Sequence, residues 1–162
     1  MPQAPRLEPA LYAGAFIGIL SALPFVGWFN ACCCLWVVSG GALALWLAQK
    51  NHPYPVTAAD GAIVGMLAGF FGGIIAIPLN VIFDHYQRDM LMRLLTQANV
   101  EVPPQLRSAF ESRPGTILTI FNGLFSSIVY GVFGLLGGLL GVAMFKKNAP
   151  PPPPPGTVEV LL

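Results

Sequence analysis

No charged residue interrupts the chain between Glu8 and Lys50, and most of that stretch is apolar. A membrane-crossing helix takes about 20 residues, so the stretch is too long for one span. Pro24, Gly27 and Asn30 sit near its middle, where helix-breaking and turn-forming residues divide it. The pattern predicts a hairpin: a span over 11–26, a turn through Gly27-Trp28-Phe29-Asn30, and a second span over 32–48. Trp28, Trp36 and Trp46 then fall near span ends, as interfacial aromatics do. Lys50-Asn51-His52-Pro53-Tyr54-Pro55 reads as a polar, proline-broken loop. Asp60 is the expected N-cap of a third span over 61–83.

After Phe83 the pattern changes. Asp84, Arg88, Asp89, Arg93, Arg107, Glu111 and Arg113 mix signs, while Tyr86, Met90, Leu91, Leu94, Leu95 and Ala98 recur at helical spacing. This segment, 84–113, reads as an amphipathic insert lying on the membrane or packing on the bundle. Pro103-Pro104 are expected to break it, with a short helix after them, and Pro114-Gly115 to reset the chain. A fourth span over 120–145 ends at Lys146-Lys147. The resulting fold class is an all-α membrane protein: four transmembrane helices as two hairpins, with an amphipathic helix between spans three and four. Residues 1–9 form an N-terminal segment, 10–147 the membrane domain and 148–162 a proline-rich tail.

Spans one and three also read alike. Gly14-Ala15-Phe16-Ile17-Gly18 aligns with Gly61-Ala62-Ile63-Val64-Gly65, and Gly40-Gly41 precede Lys50 as Gly137-Gly138 precede Lys147. The alignment points to a duplicated hairpin, both copies in one orientation, although glycine-rich membrane sequence also aligns by chance. The glycines have a use of their own. Gly61, Gly65, Gly69 and Gly73 make one stripe on the third span; Gly131, Gly134, Gly138 and Gly141 make a similar one on the fourth. Lipid offers helices no hydrophobic reason to associate, so close backbone approach supplies the attraction. Packing within the chain is the first expectation; a homo-oligomer contact or a pore lining are the alternatives.

Composition sharpens the class and narrows the chemistry. Mean hydropathy is +0.68 and charged residues make up 9% of the chain. That is well below the roughly 25% of a soluble domain. A net charge of +1 gives no basic face for nucleic acid. Cys32-Cys33-Cys34 point about 100° apart on a helix and cannot converge on one metal; they read as small apolar residues, with a redox or lipid-modified role as the alternative. No span carries an ionisable residue well inside it, which argues against coupled transport and intramembrane acid–base catalysis. Catalytic residues, a metal site and a cofactor are therefore not expected. Asn80 near Pro78, with Ser126 and Tyr130, form a candidate polar intramembrane site, set against local repair of a proline kink. Asp84, His85 and Asp89 make too thin a ligand set for a metal and read as a solvated helix start.

Six prolines, Pro150 to Pro155, favour a polyproline II spacer of roughly 20 Å. It carries Val158, Val160 and Leu162, an extended end suited to strand addition or terminus capture by a protein partner; a tail without a partner is the alternative. Four spans place Arg6, Lys50, Lys146 and Lys147 on one side and Arg88, Arg93, Arg107 and Arg113 on the other. The basic count ties, but the latter are interleaved with acids, which favours cytoplasmic termini.

Cys33-Cys34-Leu35-Trp36, Gly40-Gly41-Ala42, Asp60-Gly61-Ala62 and Gly137-Gly138-Leu139-Leu140-Gly141 with a proline-rich tail carry a resemblance. The chain resembles small glycine-rich bacterial membrane proteins with four spans, a group that brings no assigned activity. The resemblance implies the four-span topology and a bacterial inner membrane. The functional expectation is a non-enzymatic scaffold or partner-binding component of a membrane assembly. The alternative is a passive channel or transporter subunit for a small neutral solute, formed by a homo-oligomer.

Overall fold

The computed structural model describes residues 6–23, 26–27, 30, 34–50, 52, 55–101, 103–111, 116–145 and 147. The proline-rich tail, Trp28, Cys32 and Cys33 lie outside them. The described residues form five helices and no strand: α1 Leu7–Ala22, α2 Leu35–Lys50, α3 Ala58–Gln97, α4 Pro104–Glu111 and α5 Thr116–Phe145. Among the described residues two helices, not four, are long and apolar enough to cross a membrane, over Ala58–Phe83 and Ile120–Phe145.

The helix ends have local causes, and they correct the boundaries that hydropathy predicts. α1 stops at Ala22 rather than 26 because Leu23 is extended, φ −70° and ψ 134°. Leu23 precedes Pro24, and the proline ring pushes its predecessor out of the helical region. α2 starts at Leu35 rather than 32, immediately after Cys34 at φ 47°. Both helices thus have 16 residues, about 24 Å, short of a full crossing. The N-cap of α3 is Thr57, not Asp60. Thr57 is extended and its hydroxyl accepts from the Asp60 amide, which places Asp60 in the first turn.

The amphipathic segment is not a separate insert over 84–113. α3 runs on through Phe83 to Gln97, 40 residues and about 60 Å. Pro78 removes one N–H, but no glycine or proline follows until after Asn99, so nothing stops the helix. It ends at Asn99, φ 52°, where the Asn99 amide donates to the Thr96 carbonyl and the Val100 amide to the Leu95 carbonyl. That is a Schellman closure, with asparagine as the left-handed residue. α4 is the short helix expected after Pro103.

Glycine contacts fix the packing. Gly61 lies against Gly138, Gly65 against Gly134, Gly69 against Tyr130, Gly73 against Ser127, and Ile77 against Gly123. Each step forward on α3 is a step back on α5, so the pair is antiparallel. Gly14 meets Ala68 and Gly72, and Gly18 meets Gly72 and Ile75, so α1 runs parallel to α3. Gly137 meets Val38 and Gly141 meets Ala42, so α2 runs parallel to α5. The four form a ring in the order α1, α3, α5, α2, with α2 also touching α3 across it. Its core is mostly small: Ala10, Ala13, Ala44, Ala48 and Ala68, with Ile17, Val37 and Val64.

This ring does not express a duplicated hairpin. A two-fold relation would give α1–α5 contacts to match those of α2 with α3, yet α1 and α5 stand on opposite sides. The aligned Gly14 and Gly61 also meet different helices: Gly14 faces α3, while Gly61 faces Val142 and Gly138 of α5.

Candidate functional site

Three features have the geometry of more than ordinary packing. The first is the α3–α5 seam. A side chain added at Gly65 would meet the Gly134 carbonyl, and one at Gly69 the Tyr130 carbonyl. Backbone, not flexible side chain, stands in the way at both places. Gly134 and Gly138 share this property, Gly61 meets the Val142 side chain first, and Gly73 abuts Ser127. Gly131 and Gly141 differ. Gly131 has only ordinary contacts with Met66 and Phe70, at 3.6 Å and beyond, and Gly141 faces Leu45 and Ala42 of α2. The eight glycines are therefore not two equivalent stripes.

The second is a polar cluster where the connection between α1 and α2 enters the bundle. Asn30 is 8% exposed. Its Nδ2 donates to the Ser21 hydroxyl at 2.8 Å and to the Tyr130 hydroxyl at 3.2 Å. Its Oδ1 is buried with no partner among the described residues. Around it the backbone turns sharply. The Asn30 carbonyl accepts from the Cys34 amide, and Cys34 then adopts its left-handed conformation. Trp36 Nε1 donates to the Val26 carbonyl at 2.6 Å, and its ring meets Phe16 edge-on at 6.3 Å. A carbonyl shielded from water needs such a donor. The cluster can hold a hydrogen-bonding group. Its described side chains are one amide and two hydroxyls.

The third is a pair of latches joining helix termini at one end. Arg6 donates to Asp60 Oδ1 at 2.6 Å, tying the start of α1 to the start of α3. Asp60 Oδ2 also accepts from the Thr57 hydroxyl at 2.7 Å. Lys147 Nζ donates to the carbonyls of Gln49, at 2.8 Å, and His52, at 3.3 Å, tying the end of α5 to the end of α2. The buried Gln49 Oε1 accepts from the Val56 amide at 2.9 Å and closes the loop between α2 and α3. At the other end Gln87 Nε2 donates to the Ala22 carbonyl at 3.1 Å, one of the groups that α1 leaves open.

Of the polar residues singled out by sequence, only Tyr130 enters the buried cluster. Asn80 and Ser126 are exposed, as is Pro78. The neighbouring Ser127 is the buried serine, and it donates to the Gly123 carbonyl one turn back, at 2.8 Å. Asn30 was legible only as a turn residue, because its partner Tyr130 lies 100 residues away. The signal available was an amide inside a long charge-free run. Among the described residues no three His, Cys, Asp or Glu side chains gather as a metal-binding group. The tail residues Pro150, Pro155, Val158, Val160 and Leu162 lie outside the described residues. Comparison with protein-family models, with curated proteins and with solved structures gives no match.

Proposed function

We propose that the chain is an integral membrane protein in which α1, α2, α3 and α5 all lie in the bilayer, acting as a non-enzymatic scaffold in a membrane assembly. One observation carries the membrane reading. The core helix of a soluble protein is mostly buried, whereas the 18-residue apolar stretches within Ala58–Phe83 and Ile120–Phe145 are 39% and 28% buried inside this bundle. Large apolar side chains cover the remainder, including Phe121 at 68% and Phe125 at 63% exposure. Surfaces of that kind belong in hydrocarbon or against another apolar body. On this reading α1 and α2 are a short hairpin pressed against the long α3–α5 pair. Asn30 then lies at membrane depth, where its Nδ2 bonds to Ser21 and Tyr130 satisfy part of its polar side chain, and Trp36 satisfies the Val26 carbonyl.

The scaffold reading is favoured over a channel through one chain by the seam, where backbones touch and leave no lumen between α3 and α5. A passive path for a small neutral solute remains the second reading. The observation in its favour is the buried Asn30–Ser21–Tyr130 cluster. The test is affinity co-purification from native membranes, comparing the full chain with a version ending at Asn148. A partner lost on truncation supports a scaffold that docks through its tail. Unchanged partners, together with solute flux in liposomes, would move the assignment to the channel.

A further inference from the structure

An open apolar groove of about 560 Å³ runs along the outside of the bundle between α2 and α5. Leu35, Val38, Ala42 and Trp46 of α2 line it with Leu140 and Met144 of α5. From Leu35 to Trp46 it follows α2 for roughly 17 Å, the scale of a lipid tail rather than a compact solute. Its Trp46 end has a distinct electrostatic setting. Lys50 Nζ sits over the Trp46 ring, 5.2 Å from its centroid. Lys147, two residues beyond Phe145, is exposed, and among the described residues its ammonium is held by neutral carbonyls. The described acids of the same end lie elsewhere: Asp60 is paired with Arg6, and Glu8 is on α1, so both sit on the α1–α3 side of the ring. Lys50 and Lys147 therefore stand on the groove side of that end, apart from its described acids.

We infer that the groove holds an acyl chain of an anionic phospholipid, with the phosphate against Lys50 and Lys147. This rests on the membrane reading above. Aromatic and lysine side chains together mark the headgroup level, with the lysine stem crossing apolar surface to reach it. An anionic headgroup gains about fivefold in occupancy for each lysine close to it.

The test uses the full chain reconstituted in vesicles of equal phosphatidylglycerol and phosphatidylcholine, extracted in mild detergent, with retained lipid counted by native mass spectrometry. Phosphatidylglycerol is expected in excess, with Lys50→Gln and Lys147→Gln each lowering the preference about fivefold. Ser39→Phe, which fills the groove, is expected to lower retention of both lipids. Lys50→Gln changes an exposed side chain and keeps the test valid if Ser39→Phe fails to fold. Equal retention of the two lipids, or a preference untouched by both lysine variants, overturns the inference. So does a lipid-free dimer, which assigns the groove to a second copy. Alkaline carbonate extraction of the same vesicles separates the two levels: release of the protein sinks the membrane reading itself, whereas retention without lipid preference sinks only the lipid site.

Discussion

A methyl group is enough to distinguish the glycines of this protein. At Gly65 and Gly69 an added carbon meets carbonyl oxygens of α5, which move only if the helices move. Gly65→Ala and Gly69→Ala are each expected to cost about 1–3 kcal/mol, the usual range for overpacking. Gly131→Ala, facing ordinary contacts only, is expected to change stability by less than about 1 kcal/mol. Denaturant titration of the purified protein in detergent checks the contrast; equal costs at all three positions would contradict the seam. Asn30 is a second residue with a sharp expectation. Asn30→Ala leaves two hydroxyls facing each other without their shared donor, a loss of about 1–3 kcal/mol. Tyr130→Phe removes one acceptor and is expected to lose about 0.5–1.5 kcal/mol in the same assay.

Elements were partly legible because local chemistry is local. Pro24 ends α1 and Pro103 precedes α4, both visible in the sequence. The break at Cys34 was not visible, since cysteine carries no preference for a left-handed backbone; packing and the Asn30 carbonyl impose it. Polarity misleads at Phe83, where a change of solvent looks like a change of element. A helix needs only satisfied backbone and passes from an apolar to an amphipathic stretch without interruption. The continuity of α3 has a direct check. Spin labels at Asn80→Cys and Gln97→Cys, in a background without the native cysteines, should lie about 25 Å apart by dipolar spectroscopy. A distance well below that would restore a separate amphipathic helix. The start of α3 makes another prediction: Thr57→Ala removes its N-cap and should cost about 1 kcal/mol.

At the scale of the whole molecule, the sequence carries the helical class and the apolar surface, because both are sums over many residues. The ring order was not legible. Gly14 and Gly61 look interchangeable in sequence, yet one packs on α3 and the other on α5, and only three-dimensional pairing separates them. The up-and-down course of the helices gathers Arg6, Lys50, Asp60 and Lys147 at one end. Asn99 falls beyond the far end of the span Ala58–Phe83. In a bilayer these two groups face opposite compartments. The measurement that tests this account most directly is sided labelling with a membrane-impermeant maleimide, using Glu8→Cys, Lys50→Cys and Asn99→Cys in sealed vesicles without the native cysteines. Glu8→Cys and Lys50→Cys are expected to label together from one side, and Asn99→Cys only from the other. Labelling of all three from the same side, or of Glu8→Cys and Lys50→Cys from opposite sides, would contradict a bundle whose short hairpin and long pair lie in the membrane together.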